Sequence, residues 1–291
     1  MVEQAAAFVW YELMTNDLSA AQSFYRKVVG WEAQDASTLQ FDYRIFNFRA
    51  APIGGLIELP HEGRRMGAMP RWVGYVAVQD LVGTVDRIKA LGGTIYLPPT
   101  DSNIGRVSVI ADPQTATLAL INGLKYGARP ANPGELGRVG WHELLAADGK
   151  AAFGFYSALF GWVKAEAEAG AAGDAYQLFA AGDRTLGGMF TKFAAAPVPF
   201  WLYYFDVADL DAATEAVRAE GGQVAQGPLQ IWGGTWIARC IDPQGAMFAL
   251  QGKRSKAAID RAAPVAALSW SAGWDGISSR GRVVLPPKPK E

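Results

Sequence analysis

VGWHELLAADGKAAFGFYSALFGW, residues 139–162, decides the fold, because the chain writes the same frame a second time: FVWYELMTNDLSAAQSFYRKVVGW occupies residues 8–31. Trp10, Glu12, Phe24, Tyr25, Gly30 and Trp31 recur as Trp141, Glu143, Phe155, Tyr156, Gly161 and Trp162, always 131 positions on. Each copy opens on a β-rich run, passes through an aspartate suited to cap a helix, Asp17 or Asp148, and then repeats apolar residues at helical spacing. Those residues are Ala21, Phe24, Tyr25 and Val28 in the first copy, and Ala152, Phe155, Tyr156 and Leu159 in the second. A strand and a capped amphipathic helix are therefore written twice. Each strand also carries an acid, Glu12 or Glu143, among tryptophan and leucine.

The duplication continues down the chain. Gly54-Gly55 meets Gly187-Gly188, Trp72 meets Trp201, Asp80-Leu81 meets Asp209-Leu210, Gly92-Gly93 meets Gly221-Gly222, and Asp112-Pro113-Gln114 meets Asp242-Pro243-Gln244. Two homologous domains follow, over 8–123 and 139–251, joined by a Pro- and Gly-containing linker at 124–138 and trailed by an extension at 252–291. Each domain divides again. WVGYVAV is followed by the cap candidate Asp80, apolar Val85 and Ile88, and the stop Gly92-Gly93; Asp209, Ala213, Ala216 and Val217 repeat this before Gly221-Gly222. The repeating unit reads βαβββ, four times in all.

Composition restricts the function classes. Half of the 291 residues are apolar, enough for two domains with cores, and 27 Lys plus Arg against 28 Asp plus Glu leave no broad basic face for nucleic acid. No run approaches the roughly 18 apolar residues that cross a bilayer, and the start lacks a basic segment leading into a long apolar core, so a soluble protein is expected. Cys240 is the one cysteine; it excludes an internal disulfide or a cysteine-ligated zinc cluster and fits a cytoplasmic location. No nucleotide-binding fingerprint is present, and no cofactor is expected.

The two W-x-E-L-x-x-x-D…F-Y…G-W openings and D-P-Q endings resemble the vicinal oxygen chelate superfamily of glyoxalases, extradiol dioxygenases and bleomycin-resistance proteins, in particular its two-domain glyoxalase-like bacterial members. The resemblance implies an α+β fold: tandem βαβββ units, four in all, pairing into two cupped eight-stranded mixed sheets with helices outside. It also implies where a catalytic divalent metal would be held. Seven residues before Asp17 and Asp148 stand Trp10 and Trp141. Six before Asp80 and Asp209 stand Gly74 and Tyr203, and seven after Asp112 and Asp242 stand Ala119 and Ala249. After Gly54-Gly55 only Glu58 keeps a carboxylate, and its counterpart is Thr191. One donor in eight positions is not a metal site, since such ions want three or four converging ligands. His61, in a Pro/Gly/Arg-rich segment, reads as a solvent-facing loop residue, and His142 as structural.

Strand alternation puts Trp10, Glu12 and Met14 on one face of the first strand, and Trp141, Glu143 and Leu145 on the equivalent face of the second copy. The resemblance makes that face the lining of each cup. Tyr203 and Phe205 of PFWLYYFDV, residues 199–207, are expected to line the second cup as well. A carboxylate in such a cup is either a base and acceptor for a ligand or an acceptor for Arg44, Arg106, Arg239 or a tryptophan indole. The expectation is thus a pseudo-dimeric monomer or weak homodimer that binds a small apolar or aromatic molecule without metal through Trp10, Met14, Trp141, Tyr203 and Phe205. The alternative is a lyase, isomerase or dioxygenase-like enzyme using Glu12 or Glu143 as base, or Glu58 in a divergent metal site. The tail, with Trp270 and Trp274, is expected to clasp a domain surface, or else to lid one cup.

Overall fold

The computed structural model describes residues 6–39, 42–65, 67–126, 134–166, 176–192, 198–231 and 234–255. The first half runs β1 (Phe8–Thr15), α1 (Leu18–Val29), β2 (Glu32–Asp35), β3 (Tyr43–Phe48), β4 (Ala51–Glu58), α2 (His61–Arg65), β5 (Arg71–Ala77), α3 (Leu81–Ala90), β6 (Thr94–Asp101), β7 (Arg106–Ala111) and β8 (Thr117–Asn122). The second half repeats it as β9 (Val139–Ala146), α4 (Gly149–Phe160), β10 (Val163–Lys164), β11 (Tyr176–Ala181), β12 (Arg184–Thr191), β13 (Phe200–Val207), α5 (Leu210–Ala219), β14 (Gln223–Gln230), β15 (Trp236–Ile241) and β16 (Met247–Gly252). The strands form two eight-stranded mixed sheets, β2-β3-β4-β1-β5-β8-β7-β6 and β10-β11-β12-β9-β13-β16-β15-β14. Each sheet is two βαβββ units joined where their first strands, β1 with β5 and β9 with β13, pair antiparallel. This is the α+β fold of four units in two cupped sheets that the sequence implies.

Local chemistry explains the elements. All four expected aspartates cap their helices: Asp17 accepts from the amides of Ser19 and Ala20, Asp80 from Gly83, Asp148 from Ala151, and Asp209 from Asp211 and Ala212. Gly30 and Gly161 end α1 and α4 in the left-handed conformation that favours glycine. One expectation needs correction. The segment around His61 is not all loop, because the amide of Arg64 donates to the Pro60 carbonyl and closes the short helix α2; His61 itself is exposed.

The helices lie on the convex faces, outside both cups, and those faces meet in one shared apolar core. Phe205 packs 4.8 Å from Trp31 and 5.1 Å from Trp72, while Phe8 lies 5.4 Å from Trp201, so each half plugs the other. The contacts are reciprocal, as in a two-fold dimer. Tyr25 donates to Asp242 while Tyr156 donates to Asp112; Gln244 bonds the backbone of Asp17 while Gln114 bonds that of Asp148. The equivalent residues Tyr11 and His142 meet each other 2.6 Å apart, which places them at the pseudo-two-fold axis. The ends of the linker are fastened: Tyr126 stacks on Trp10, and the Trp31 indole donates to the Gly137 carbonyl. Of the extension, Arg254 pairs with Asp211 and lies over the Trp236 ring; Trp270 and Trp274, like Trp232, lie outside the described residues.

Candidate functional site

Each concave face has its own small apolar cluster. The first contains Trp10, Tyr43, Val73, Tyr75, Ile104 and Ala119; the second contains Leu145, Leu202, Tyr204, Ile237 and Ala249, with Trp141, Tyr176 and Phe200 partly buried against it. Within each, a tryptophan, a glutamate and two tyrosines are wired together. Glu12 accepts hydrogen bonds from the hydroxyls of Tyr43, at 2.6 Å, and Tyr75, while the Trp10 indole donates to the Tyr43 oxygen at 3.2 Å. Glu143 accepts from Tyr176 at 3.0 Å and Tyr204 at 2.7 Å, and the Trp141 indole donates to Tyr176 at 3.1 Å.

Glycine makes room for these clamps. A side chain on Gly55 would overlap the Tyr43 hydroxyl, and one on Gly188 would overlap the Tyr176 ring, which accounts for the second glycine of each repeated Gly-Gly pair in β4 and β12. The tyrosines themselves escape a reading of strand β1 alone. The signal was in the duplication: Tyr43 and Tyr176 stand ahead of the two Gly-Gly pairs, and Tyr75 and Tyr204 follow Trp72 and Trp201 at one spacing.

The two clamps then differ. Arg239 reaches Glu143 at 2.8 Å, with the two side chains only 3% and 1% exposed. It also donates to Tyr204 at 3.0 Å and to Gln226 at 2.6 Å; burial pulls the guanidinium's pKa down, and the pairing with Glu143 and Tyr204 outweighs it and leaves the pKa raised. Val109 takes the Arg239 position in β7, and no arginine among the described residues pairs with Glu12. Burial pushes the Glu12 carboxyl above its ordinary pKa, against the opposing pull of the Tyr43, Tyr75 and Trp10 hydrogen bonds. Arg44 turns instead to Gln22 and Ser19, and Arg106 lies 3.9 Å from Asp101.

Trp10, Glu12, Trp141 and Glu143 thus lie on the concave faces, and Met14 packs at the edge of the first cluster. Tyr203 and Phe205 do not. The register pairs Tyr204 with Trp141 and Tyr203 with His142, so Leu202 and Tyr204 face the cup while Tyr203 and Phe205 belong to the core between the halves. Tyr203 accepts a hydrogen bond from the Gly74 amide there. By the same register Tyr75, not Gly74, stands beside Trp10. Glu58 pairs with Thr15, faces away from Glu12, and carries an ion pair with Arg64 at 3.1 Å. Among the described residues no three His, Cys, Asp or Glu converge as metal ligands.

His142 is buried on the convex side. Its Nδ1 lies 2.7 Å from the Leu186 carbonyl, which can only accept, so Nδ1 carries the proton and Nε2 accepts from the Tyr11 hydroxyl. Desolvation holds its pKa down at about 3, and Phe8 stacks on the ring at 4.2 Å. It joins the two halves and reaches neither cup. A narrow cleft beside it, lined by Tyr11, Trp31, Trp72, Arg138 and Phe205, lies at the junction of the halves as well.

The glyoxalase/bleomycin resistance protein/dioxygenase superfamily matches residues 7–120 and 138–250. The chain is 33% identical over 245 residues to "Putative glyoxylase CFP32" of Mycobacterium tuberculosis (strain CDC 1551 / Oshkosh), covering 83% of this chain and 92% of that one. It is 30% identical over 261 residues to "Anthracycline biosynthesis protein DauV" of Streptomyces sp. (strain C5), covering 83% and 91%. Among solved structures, the Mn(II)-bound glyoxalase from Novosphingobium aromaticivorans superposes with a TM-score of 0.58 at 16% identity, over 87% of this chain and 83% of that one. Homoprotocatechuate 2,3-dioxygenase from Arthrobacter globiformis gives 0.59 at 12% identity, over 86% and 81%. At those identities the structural likeness concerns the fold. The family match over most of both halves and the likeness to the mycobacterial protein settle the membership: the chain belongs to the glyoxalase/bleomycin resistance protein/dioxygenase superfamily.

Proposed function

We propose that the protein binds a small, partly apolar or aromatic molecule in its cups and does so without a catalytic metal, as a sequestering or resistance protein would. The observation that carries this reading is the inward wiring of the cup acids. Glu12 is engaged by two tyrosine hydroxyls, and Glu143 by two tyrosines and Arg239. Their neighbours at the positions facing Trp10 and Trp141 are tyrosine and alanine, Tyr75 with Ala119 and Tyr204 with Ala249. Phenols, tryptophans and alanines do not fit a divalent ion that needs three or four basic N or O donors. The aromatic walls suit a ring, with few polar groups to orient it, as in small-molecule pockets generally. The relative named for anthracycline biosynthesis favours such a ligand, since an anthracycline is a polycyclic aromatic.

Metal analysis of protein purified without chelator tests the metal-free half: far less than one equivalent of Mn, Fe, Ni or Zn is expected, with no rise in melting temperature when those ions are added. Near-stoichiometric metal would overturn it. A thermal-shift screen of neutral aromatic compounds tests the other half, and stabilisation by ring compounds is expected. A second reading, proton transfer at an activated carbon, is favoured by Glu12 alone, because burial raises its pKa and no arginine among the described residues holds it ionised. Under that reading Glu12→Gln abolishes turnover and leaves ligand affinity unchanged. We further infer a pseudo-dimeric monomer working in the cytoplasm; no helix among the described residues is long and apolar enough to cross a membrane, and the Cys240 thiol is buried, its pKa pushed up to about 12.

A further inference from the structure

The cups differ most at one end. Beside Trp10 the strands β1, β5 and β8 present Val9, Ala77 and Ile121; at the equivalent positions beside Trp141 stand Gly140, Asp206 and Gln251. Three apolar side chains in the first half have become a glycine and two polar side chains in the second. Both halves have a β-bulge here, between Phe8 and Trp10 and across Gly140, so the backbone is alike and the side chains alone have changed.

Gly140 is what lets the polar pair fit. A side chain there would overlap both the Asp206 carboxyl and the Gln251 amide, which Val9 has no counterpart to meet. Gln251 donates to Asp206 Oδ1 at 2.9 Å, and the other oxygen, Oδ2, is buried without any hydrogen-bond partner. A buried acceptor left unpaired is unfavourable, and its presence in a native fold asks for a reason. The charged groups around it do not supply a partner. Glu135 repels it and is itself paired to Arg138, whose contribution to Asp206 is a backbone carbonyl that accepts from the Asp206 amide. Burial and Glu135 push the Asp206 pKa up to about 7.

The surroundings point the same way. Trp10 is fully buried and covered by the Tyr126 ring at 5.7 Å, whereas Trp141, Tyr176, Phe200, Leu229 and Met247 are only partly buried around the second cup. We propose that ligand recognition is confined to the second cup, where Asp206 Oδ2 pairs with a hydroxyl or amine donor carried on an aromatic body that rests against Trp141. The inference deepens the binding function proposed above and rests on it. Alternation along β13 puts Asp206 two residues beyond Tyr204, about 7 Å on, so a two-ring body reaches from the Glu143 clamp to the acid.

Isothermal titration of the full chain at pH 8 with 2-naphthol, its methyl ether 2-methoxynaphthalene and 2-(aminomethyl)naphthalene tests this, because the three share one body and differ in the donor. Wild type is expected to bind one or both donor probes about tenfold more tightly than the ether, the scale of one charge-assisted hydrogen bond. A preference for the amine alone assigns a cationic ligand, and for the naphthol a hydroxylated one. Asp206→Ala, which installs the residue found at position 77, is expected to abolish the preference and keep affinity for the ether. Should that variant fail to fold, Gly140→Val serves, since its side chain displaces the carboxyl, with the same loss expected. Equal affinity for all three probes in wild type, or a preference that survives both substitutions, overturns the inference while leaving aromatic binding intact. Binding of none of the three overturns the aromatic-pocket function and the inference together.

Discussion

The two halves of this chain share most of the polar contacts by which they hold each other, and they differ most on their concave faces. About the axis where Tyr11 meets His142, Tyr25 with Asp242 and Tyr156 with Asp112, and the two glutamines on opposite helix caps, are one set of contacts used twice. In the cups the shared Trp-Glu-Tyr-Tyr set is kept, but the second adds Arg239, Asp206 and Gln251 where the first has Val109, Ala77 and Ile121. A duplicated domain must preserve its mutual packing to stay folded, whereas its two concave faces are free to diverge. The difference therefore marks the second cup as the specialised one.

The largest test of that contrast is the ion pair. Removing one partner strands a buried charge, so Arg239→Val or Glu143→Gln is expected to lower stability by roughly 3–5 kcal/mol in equilibrium unfolding, while the double substitution recovers much of the loss. Equal effects of Glu143→Gln and Glu12→Gln would erase the contrast.

A smaller effect is expected from pH. The folded-state pKa of Asp206, about 7, lies above its ordinary value of 3.8. The folded protein then holds a proton that the unfolded chain has lost, so stability falls as pH rises from about 4 to about 7 and levels off beyond, by an amount on the order of 2–4 kcal/mol. Asp206→Asn is expected to flatten that slope, read from urea midpoints across the window. A slope unchanged by the substitution would assign it to other groups.

Glu12→Gln should do less still. Glu12 has no arginine to strand, and its raised pKa means that ionisation already works against the fold above the unfolded value. The amide keeps an acceptor for one tyrosine and offers a donor to the other. A change between zero and about 1 kcal/mol of stabilisation at pH 7 is expected. A loss approaching that of Glu143→Gln would mean that the tyrosine clamp needs the charge.

How far the sequence carried these conclusions depends on what fixed the phase of each strand. In β1 and β9 the alternation of Trp and Glu with Tyr or His and Leu, together with the repeat, puts the acids on one face. In β13 both faces are aromatic or aliphatic, Trp201, Tyr203 and Phe205 against Leu202 and Tyr204, so side-chain type cannot choose between them. Only the pairing of Tyr204 with Trp141 does, and that is a long-range fact. The same one-residue shift puts Tyr75 rather than Gly74 beside Trp10, and Tyr204 rather than Tyr203 beside Trp141. Asp206 is hidden for a related reason. It reads as an ordinary strand-end acid until Gly140 and Gln251, more than 40 residues away on either side, are brought beneath it.

The smallest difference predicted, that between two equivalent tyrosine substitutions, is also the control for the whole comparison. Tyr25 and Tyr156 each accept from a tryptophan indole, at 2.9 Å from Trp72 and 3.2 Å from Trp201, and each donates to the aspartate of the other half, at 3.2 and 3.1 Å. Both hydroxyls are buried, and burial raises the pKa of both and of both aspartates. Tyr25→Phe and Tyr156→Phe each remove one donor and one acceptor there, which should lower stability by about 1–3 kcal/mol. Because the interface is one arrangement used twice, the two losses should agree within about 0.5 kcal/mol. Measured by urea unfolding beside the Glu12 and Glu143 pair, equal tyrosine losses with unequal glutamate losses would locate the divergence of the halves in their cups. Unequal tyrosine losses would instead show that the asymmetry runs through the packing itself, and the case for a specialised second cup would lose its reference.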